Sequence, residues 1–220
     1  MFLEIPGLLE SSEVARLGDI ASRMTFVDGR LSNPAHEAKD NRQADTAHPL
    51  YAESVQLVAN ALMRSREFRD FTFPKRFAPP LLSRYEPGMQ YGVHADAAHM
   101  QLPTGPLRSD ISCTVFLSDP ATYEGGELTV HLGARPALFK GAPGSCILYP
   151  STTLHEVRPV KRGVRLVSLT FIESFVADQA KRNLLYELNE VGALEGLKMQ
   201  WQSRVRLEAV CQNLMRQWSD

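Results

Sequence analysis

Apolar positions change their period twice along this chain. In the first stretch, up to about Pro80, the period is helical. Val14, Leu17 and Ala21 recur at three- and four-residue intervals behind Glu10-Ser11-Ser12-Glu13, a segment able to start a helix. A second helix is predicted after Pro49, where Val55, Val58, Ala59 and Leu62 make one apolar face. Between the two, Asp28 to His48 is polar and holds Gly29 and Pro34, so it reads as a long loop. Such a loop is uncommon unless it is disordered or covers a site.

From Ala78 to about Phe175 the apolar runs shorten and are separated by glycine and proline turns, as in an all-β sandwich or barrel. The predicted strands are Leu81 to Tyr85, Tyr91 to Asp96, Ser109 to Leu117, Gly126 to His131, Ala137 to Lys140, Ser145 to Tyr149, His155 to Val160 and Val164 to Ile172. Eight strands suit a double-stranded β-helix, or jelly roll. Beyond Phe175 the helical period returns in Leu184, Leu185 and Leu188, then in Leu207, Val210, Leu214 and Trp218. The expected fold is mainly β with flanking helices. Residues 1–77 form a helical and loop region supporting the core, 78–175 the jelly roll, and 176–220 a helical extension that docks on the barrel or on another subunit.

The chain has 220 residues, 44% of them hydrophobic, enough for one substantial core. Its 24 Lys plus Arg nearly cancel 25 Asp plus Glu, leaving a formal charge of −1. That balance lacks the broad positive field a nucleic-acid partner requires. Met1-Phe2-Leu3-Glu4-Ile5-Pro6 does not resemble a secretory signal, and no apolar run approaches the roughly 20 residues that span a bilayer. A cytoplasmic protein without membrane contact is expected. Cys113, Cys146 and Cys211 are too few and too scattered for a disulfide framework or a thiolate zinc site. Cys113 and Cys146 read as small core residues within strands.

The chemistry is carried by His94-Ala95-Asp96, by His155 and by Arg165. In a strand, side chains at i and i+2 project to one face, so His94 and Asp96 act together if the segment is extended. Tyr85-Glu86-Pro87-Gly88 reads as the turn that leads into it. His155 follows a turn-like stretch, Tyr149 to Thr153, and a jelly roll can bring distant strands to one mouth. A His-x-Asp tripeptide is frequent by chance, but joined to His155 it makes a two-histidine, one-carboxylate face for Fe(II), leaving other positions open. The remaining histidines, His36, His48, His99 and His131, lack a carboxylate partner at i+2 and are assigned to solvent or substrate contact; His99, three residues past Asp96, is the one placed near the metal and the substrate. Arg165 lies in the apolar run Gly163 to Leu169, where a charge is costly unless paired. One way out is a surface partner such as Glu156. The other is a dicarboxylate that chelates iron at one end and takes bidentate hydrogen bonds from Arg165 at the other, the shape of 2-oxoglutarate. Dioxygen is then the second co-substrate. No Ser-His-Asp or Cys-His arrangement is legible.

The run Arg84-Tyr85-Glu86-Pro87-Gly88-Met89-Gln90-Tyr91-Gly92-Val93-His94-Ala95-Asp96 resembles that of prolyl-4-hydroxylase-like iron and 2-oxoglutarate dioxygenases. Tyr123-Glu124-Gly125-Gly126-Glu127-Leu128 and Tyr149 to Val157 resemble the bacterial PKHD-type hydroxylases, a group linked to iron uptake. The resemblance covers nearly the whole chain. It implies iron ligands at His94, Asp96 and His155, 2-oxoglutarate on Arg165, Tyr85 beside that co-substrate, and Asn41, Arg42 and Gln43 lining the mouth. It also implies ascorbate as a stimulant of turnover. Related halogenases replace the carboxylate ligand by a small residue; here Asp96 is present, which favours hydroxylation. The substrate implied is a siderophore or other small molecule, with a protein residue of prolyl type as the alternative. A non-enzymatic jelly roll that binds metal or ligand in iron handling is the competing class. The apolar carboxy-terminal helices imply a homo-oligomer.

Overall fold

The computed structural model describes residues 1–33 and 37–220; His36 lies outside the described residues. Two antiparallel sheets dominate. The larger runs in the order Leu3–Ile5, Cys146–Pro150, Ile111–Phe116, Arg165–Ser174, Leu81–Tyr85, Arg42–Ala44 and Phe26–Asp28, with Pro74–Phe77 also paired to Arg165–Ser174. The smaller runs Arg135–Phe139, Leu128–Leu132, His155–Val157, Gln90–His94 and Lys39–Asp40. Among the described residues five helices flank this jelly-roll core: α1 (Ser11–Arg23), α2 (Tyr51–Arg64), α3 (Arg66–Thr72), α4 (Gln179–Glu195) and α5 (Trp201–Trp218).

Burial explains the sequence pattern of the central strand. Ile111–Phe116 is buried at every position, because α1 to α3 cover one face of the larger sheet and the smaller sheet covers the other. A strand enclosed on both faces has no solvent-facing side for charged residues, and the polar positions here are the small hydroxyls Ser112 and Thr114. Ile111, Cys113 and Val115 join the helix-backed core with Leu17, Ile20, Leu62 and Phe68. Phe116 instead packs with Leu128, Val130, Ile147, Tyr149 and Val167 in a second cluster between the sheets. The helices are placed by their apolar faces. The Glu10 N–H donates to Glu13 at 2.8 Å and caps α1, whose Leu17, Ile20 and Ala21 are buried. On α2 the buried stripe is Ser54, Val58, Ala61 and Leu62, rotated from the predicted one so that Val55 and Ala59 lie at its edge.

Three expectations are corrected. The polar stretch from Asp28 to His48 is not one long loop: it holds a 3-10 turn, Gly29–Ser32, and the strands Lys39–Asp40 and Arg42–Ala44, one in each sheet. The strand read as Tyr91 to Asp96 ends at His94, and the expected strand from His155 to Val160 is two separate strands, His155–Val157 and Val160–Arg162. At the carboxy-terminal end, α4 packs on α3, with Leu185 buried and Tyr186 edge-on to Phe71. Helix α5 packs on α4 and has no buried residue, and Leu194, Leu197 and Trp201 around the connection are exposed.

Candidate metal centre

Antiparallel pairing sets His94 directly opposite His155, on adjacent strands of the smaller sheet. An irregularity in that ladder also sets Val157 opposite Tyr91. Their imidazole centroids are 4.2 Å apart. Asp96 stands beyond the strand end, with its backbone N–H donated to the Ser151 carbonyl at 3.2 Å. From there its carboxylate reaches between the rings: Oδ1 is 3.8 Å from His94 Nε2 and Oδ2 is 3.7 Å from His155 Nε2. One ligand atom from each residue lies within 4.8 Å of the others, and among the described residues this is the sole such group of three.

Backbone carbonyls fix the chemistry of both rings. His94 Nδ1 is 2.7 Å from the Gly92 carbonyl and His155 Nδ1 is 2.9 Å from the Thr153 carbonyl. A carbonyl only accepts, so each Nδ1 carries the proton and each Nε2 presents a lone pair to the cluster. Tyr91 stacks on His94 at 3.6 Å, and Tyr149 meets His155 edge-on at 5.0 Å. Burial pushes the Asp96 carboxyl up, opposed by His155, by a Ser112 hydrogen bond and by Lys39. The Lys39 ammonium is itself buried, donates to Ser32 Oγ at 2.6 Å and sits 4.9 Å from the Tyr91 ring centre. Burial lowers its pKa to about 8.

Arg165 is 1% exposed, and its Nε and Nη1 have no hydrogen-bond partner among the described residues. The alternative surface pairing with Glu156 is not found among the described residues: Glu156 faces His131 at 3.7 Å instead. The guanidinium lies 5.0 Å from the ring centre of Tyr85, its cross-strand partner, and burial lowers its pKa. Tyr85 and Tyr149 are both buried, Tyr149 against His155 and Tyr85 against the Arg165 guanidinium, and burial raises the pKa of each phenol. Gly126 makes room for this arrangement. It has φ +67°, and a Cβ there would meet Arg165 Cδ at 3.1 Å, Val160 Cγ2 at 2.9 Å and the Tyr123 ring at 3.3 Å.

The remaining candidates divide. Asn41 is buried, donating to Ser83 Oγ at 2.7 Å, and its Oδ1 has no partner among the described residues. Gln43 is half-buried opposite Ser83, whereas Arg42 is exposed opposite Arg84. His99 is exposed and opens the hairpin His99–Leu102 and Gly105–Arg108, outside the three-residue cluster. Lys39 and the serines beside Asp96 went unread in the sequence. A signal existed for Ser112, a hydroxyl that with Thr114 alternates with the apolar Ile111, Cys113 and Val115.

The jelly roll and its family define a 2-oxoglutarate-dependent iron dioxygenase. The family model of the 2OG-Fe(II) oxygenase superfamily matches residues 80–173. A PKHD-type hydroxylase of Sphingopyxis alaskensis is 53% identical over 211 residues, 96% of each chain. The PKHD-type hydroxylase YbiX of Escherichia coli is 38% identical over 224 aligned residues, covering all of both chains. The chain belongs to the PKHD-type hydroxylases. Among solved structures, a Trichoplax adhaerens prolyl hydroxylase in complex with a hypoxia inducible factor peptide fragment shares the fold, with TM-score 0.62, 14% identity and coverage of 83% of this chain and 86% of that one. No described helix is long and apolar enough to cross a membrane.

Proposed function

We propose that the chain holds Fe(II) through His94 Nε2, Asp96 and His155 Nε2, binds 2-oxoglutarate against Arg165, and hydroxylates a small molecule of iron-chelating, siderophore type. The observation that carries this reading is the pair of nitrogens on buried Arg165 that have no partner among the described residues, beside Tyr85, together with the His-Asp-His cluster against Tyr149. A buried guanidinium with open donors fits a carboxylate, and two imidazoles with one carboxylate fit a ferrous ion. When bound, iron and 2-oxoglutarate supply dioxygen activation, chemistry that no side chain here provides.

The side chains orient and enclose. The Gly92 and Thr153 carbonyls hold the two Nδ1 protons and so aim both Nε2 atoms at one point. Arg165 grips the co-substrate carboxylate remote from the metal, with Tyr85 packed beside it. The retained carboxylate of Asp96 supports hydroxylation over halogenation. Asn41, Arg42, Gln43 and His99 serve the mouth in this reading, ascorbate stimulates turnover, and the enzyme acts in the cytoplasm. The substrate class is supported by the resemblance to hydroxylases linked to iron uptake.

The test is spectroscopic. Fe(II) and 2-oxoglutarate added without oxygen give a weak visible charge-transfer band, and succinate follows when air enters. His94→Ala abolishes both. A wild type that gives neither signal, or a His94→Ala protein that matches wild type, overturns the proposal. Incubation with iron-chelating small molecules, read by mass spectrometry for one added oxygen atom, tests the substrate class.

A further inference from the structure

Behind Asp96 stand three buried serine hydroxyls in a row. Ser112 Oγ donates to Asp96 Oδ2 at 2.5 Å, Ser151 Oγ is 2.8 Å from Ser112 Oγ, and Ser109 Oγ reaches Ser151 Oγ at 2.9 Å. All three residues are buried: Ser109 is 6% exposed, Ser112 and Ser151 each 2%. They come from separate places in the larger sheet. Ser112 lies within Ile111–Phe116, Ser109 just before it, and Ser151 just after Cys146–Pro150.

One charge orients the row. An ionised carboxylate only accepts, so Ser112 donates to it; Ser112 then accepts from Ser151, and Ser151 from Ser109. Each donor polarises the next and strengthens the last bond, the one to Asp96. The main chain ties the same residues together. Asp96 N–H donates to the Ser151 carbonyl, Ser151 N–H to the Asp110 carbonyl at 3.2 Å, and Ser109 N–H to the Ala98 carbonyl at 2.9 Å. These ties matter because Asp96 lies past the end of its strand, where no ladder holds the segment from Ala95 to Ala98.

We propose that Ser112, backed by Ser151 and Ser109, is the positioning residue that sets the orientation of Asp96 and thereby the metal affinity of the site. The proposal rests on the reading of His94, Asp96 and His155 as metal ligands. Ser112 takes a lone pair of Oδ2 and leaves Oδ1 turned toward His94. Without the hydroxyl, a buried carboxylate loses a charge-assisted bond and gains freedom about its side-chain torsions. Removing partners that orient a ligand typically costs about 10–100-fold in metal affinity.

The experiment is a Co(II) titration of the full-length metal-free protein, read by visible absorption and calorimetry without turnover. The wild type takes up one Co(II). Ser112→Ala raises the Kd by about 10–100-fold and alters the cobalt spectrum. Ser151→Ala and Ser109→Ala raise it by successively smaller factors. Ser112→Thr, which keeps the hydroxyl, binds more tightly than Ser112→Ala. Ser112→Ala with wild-type affinity and spectrum overturns the proposal, as does equal weakening of the alanine and threonine variants. Should Ser112→Ala fail to fold by thermal melting, Ser151→Ala and Ser109→Ala decide, and wild-type affinity in both overturns it. A wild type that binds no Co(II) overturns the metal reading itself, and this proposal with it.

Discussion

Arg165 and Arg182 are both buried arginines, 1% and 5% exposed, in different parts of the molecule, and they are held in different ways. Arg182, in the first turn of α4, donates its Nη1 to the Val176 and Ala177 carbonyls at 2.7 and 2.6 Å. Those bonds fasten the helix to the chain leaving Arg165–Ser174. Arg165 lies between the sheets, faces the ring of Tyr85 and leaves Nε and Nη1 without partners. Burial lowers the pKa of both. A buried donor without an acceptor costs about 1–3 kcal/mol, which folding alone gives no reason to keep. The partnered arginine belongs to the architecture; the unpartnered one is suited to a ligand.

The largest expected effect tests this contrast directly. Arg165→Met raises the 2-oxoglutarate requirement about 100-fold, since truncating one partner of a buried charge pair costs roughly 2–5 kcal/mol. Its melting temperature without 2-oxoglutarate stays at or above wild type, because an unsatisfied group has been removed. Steady-state succinate formation and thermal melting measure the two. A lowered melting temperature with an unchanged 2-oxoglutarate requirement would break the comparison. Arg182→Met does the reverse: it loses about 2 kcal/mol of stability in urea denaturation, because two carbonyls lose their donor, and keeps the wild-type 2-oxoglutarate requirement.

Lys39 sharpens the comparison with a smaller effect. It is a buried cation that, among the described residues, has the Ser32 hydroxyl as its hydrogen-bond partner and the aromatic face of Tyr91 beside it. Its pKa is lowered to about 8 from 10.5, so between those values the unfolded chain binds the extra proton. Stability of the metal-free protein therefore rises with pH across that window. In Lys39→Met that rise is flattened, and the variant is more stable than wild type at pH 7. Urea denaturation of both proteins from pH 7 to 10.5 reads it, and parallel curves would show that Lys39 titrates normally in the folded state.

Much of the core was legible because its strands are long enough to show a period. Leu81–Tyr85 appears as expected, and Ile111–Phe116 and Arg165–Ser174 lie within a few residues of their predicted limits. That His94 and His155 can meet at one mouth followed from the jelly-roll reading, whereas their direct pairing across adjacent strands is a finding of the structure. Lys39–Asp40 and Arg42–Ala44 were hidden because two or three residues show no period, and these are largely polar. Asp96 was read as a strand residue, since only the tertiary tie to Ser151 reveals that it has left the ladder. The charge of Arg165 in an apolar strand was visible, but its missing partners were not: orphaned nitrogens are a property of packing. The serine row was equally invisible, being assembled from residues up to 42 apart in the chain.

Gly126 has a thermodynamic consequence. With so little space over its Cα, the arginine stem lies close against the Gly126 backbone, in a corner that Val160 and Tyr123 also crowd, before any co-substrate arrives. A free arginine side chain loses roughly 1.5–2 kcal/mol of rotamer freedom when ordered. Here that loss falls on folding, so the dicarboxylate meets an arm already set, and association retains more of its favourable free energy.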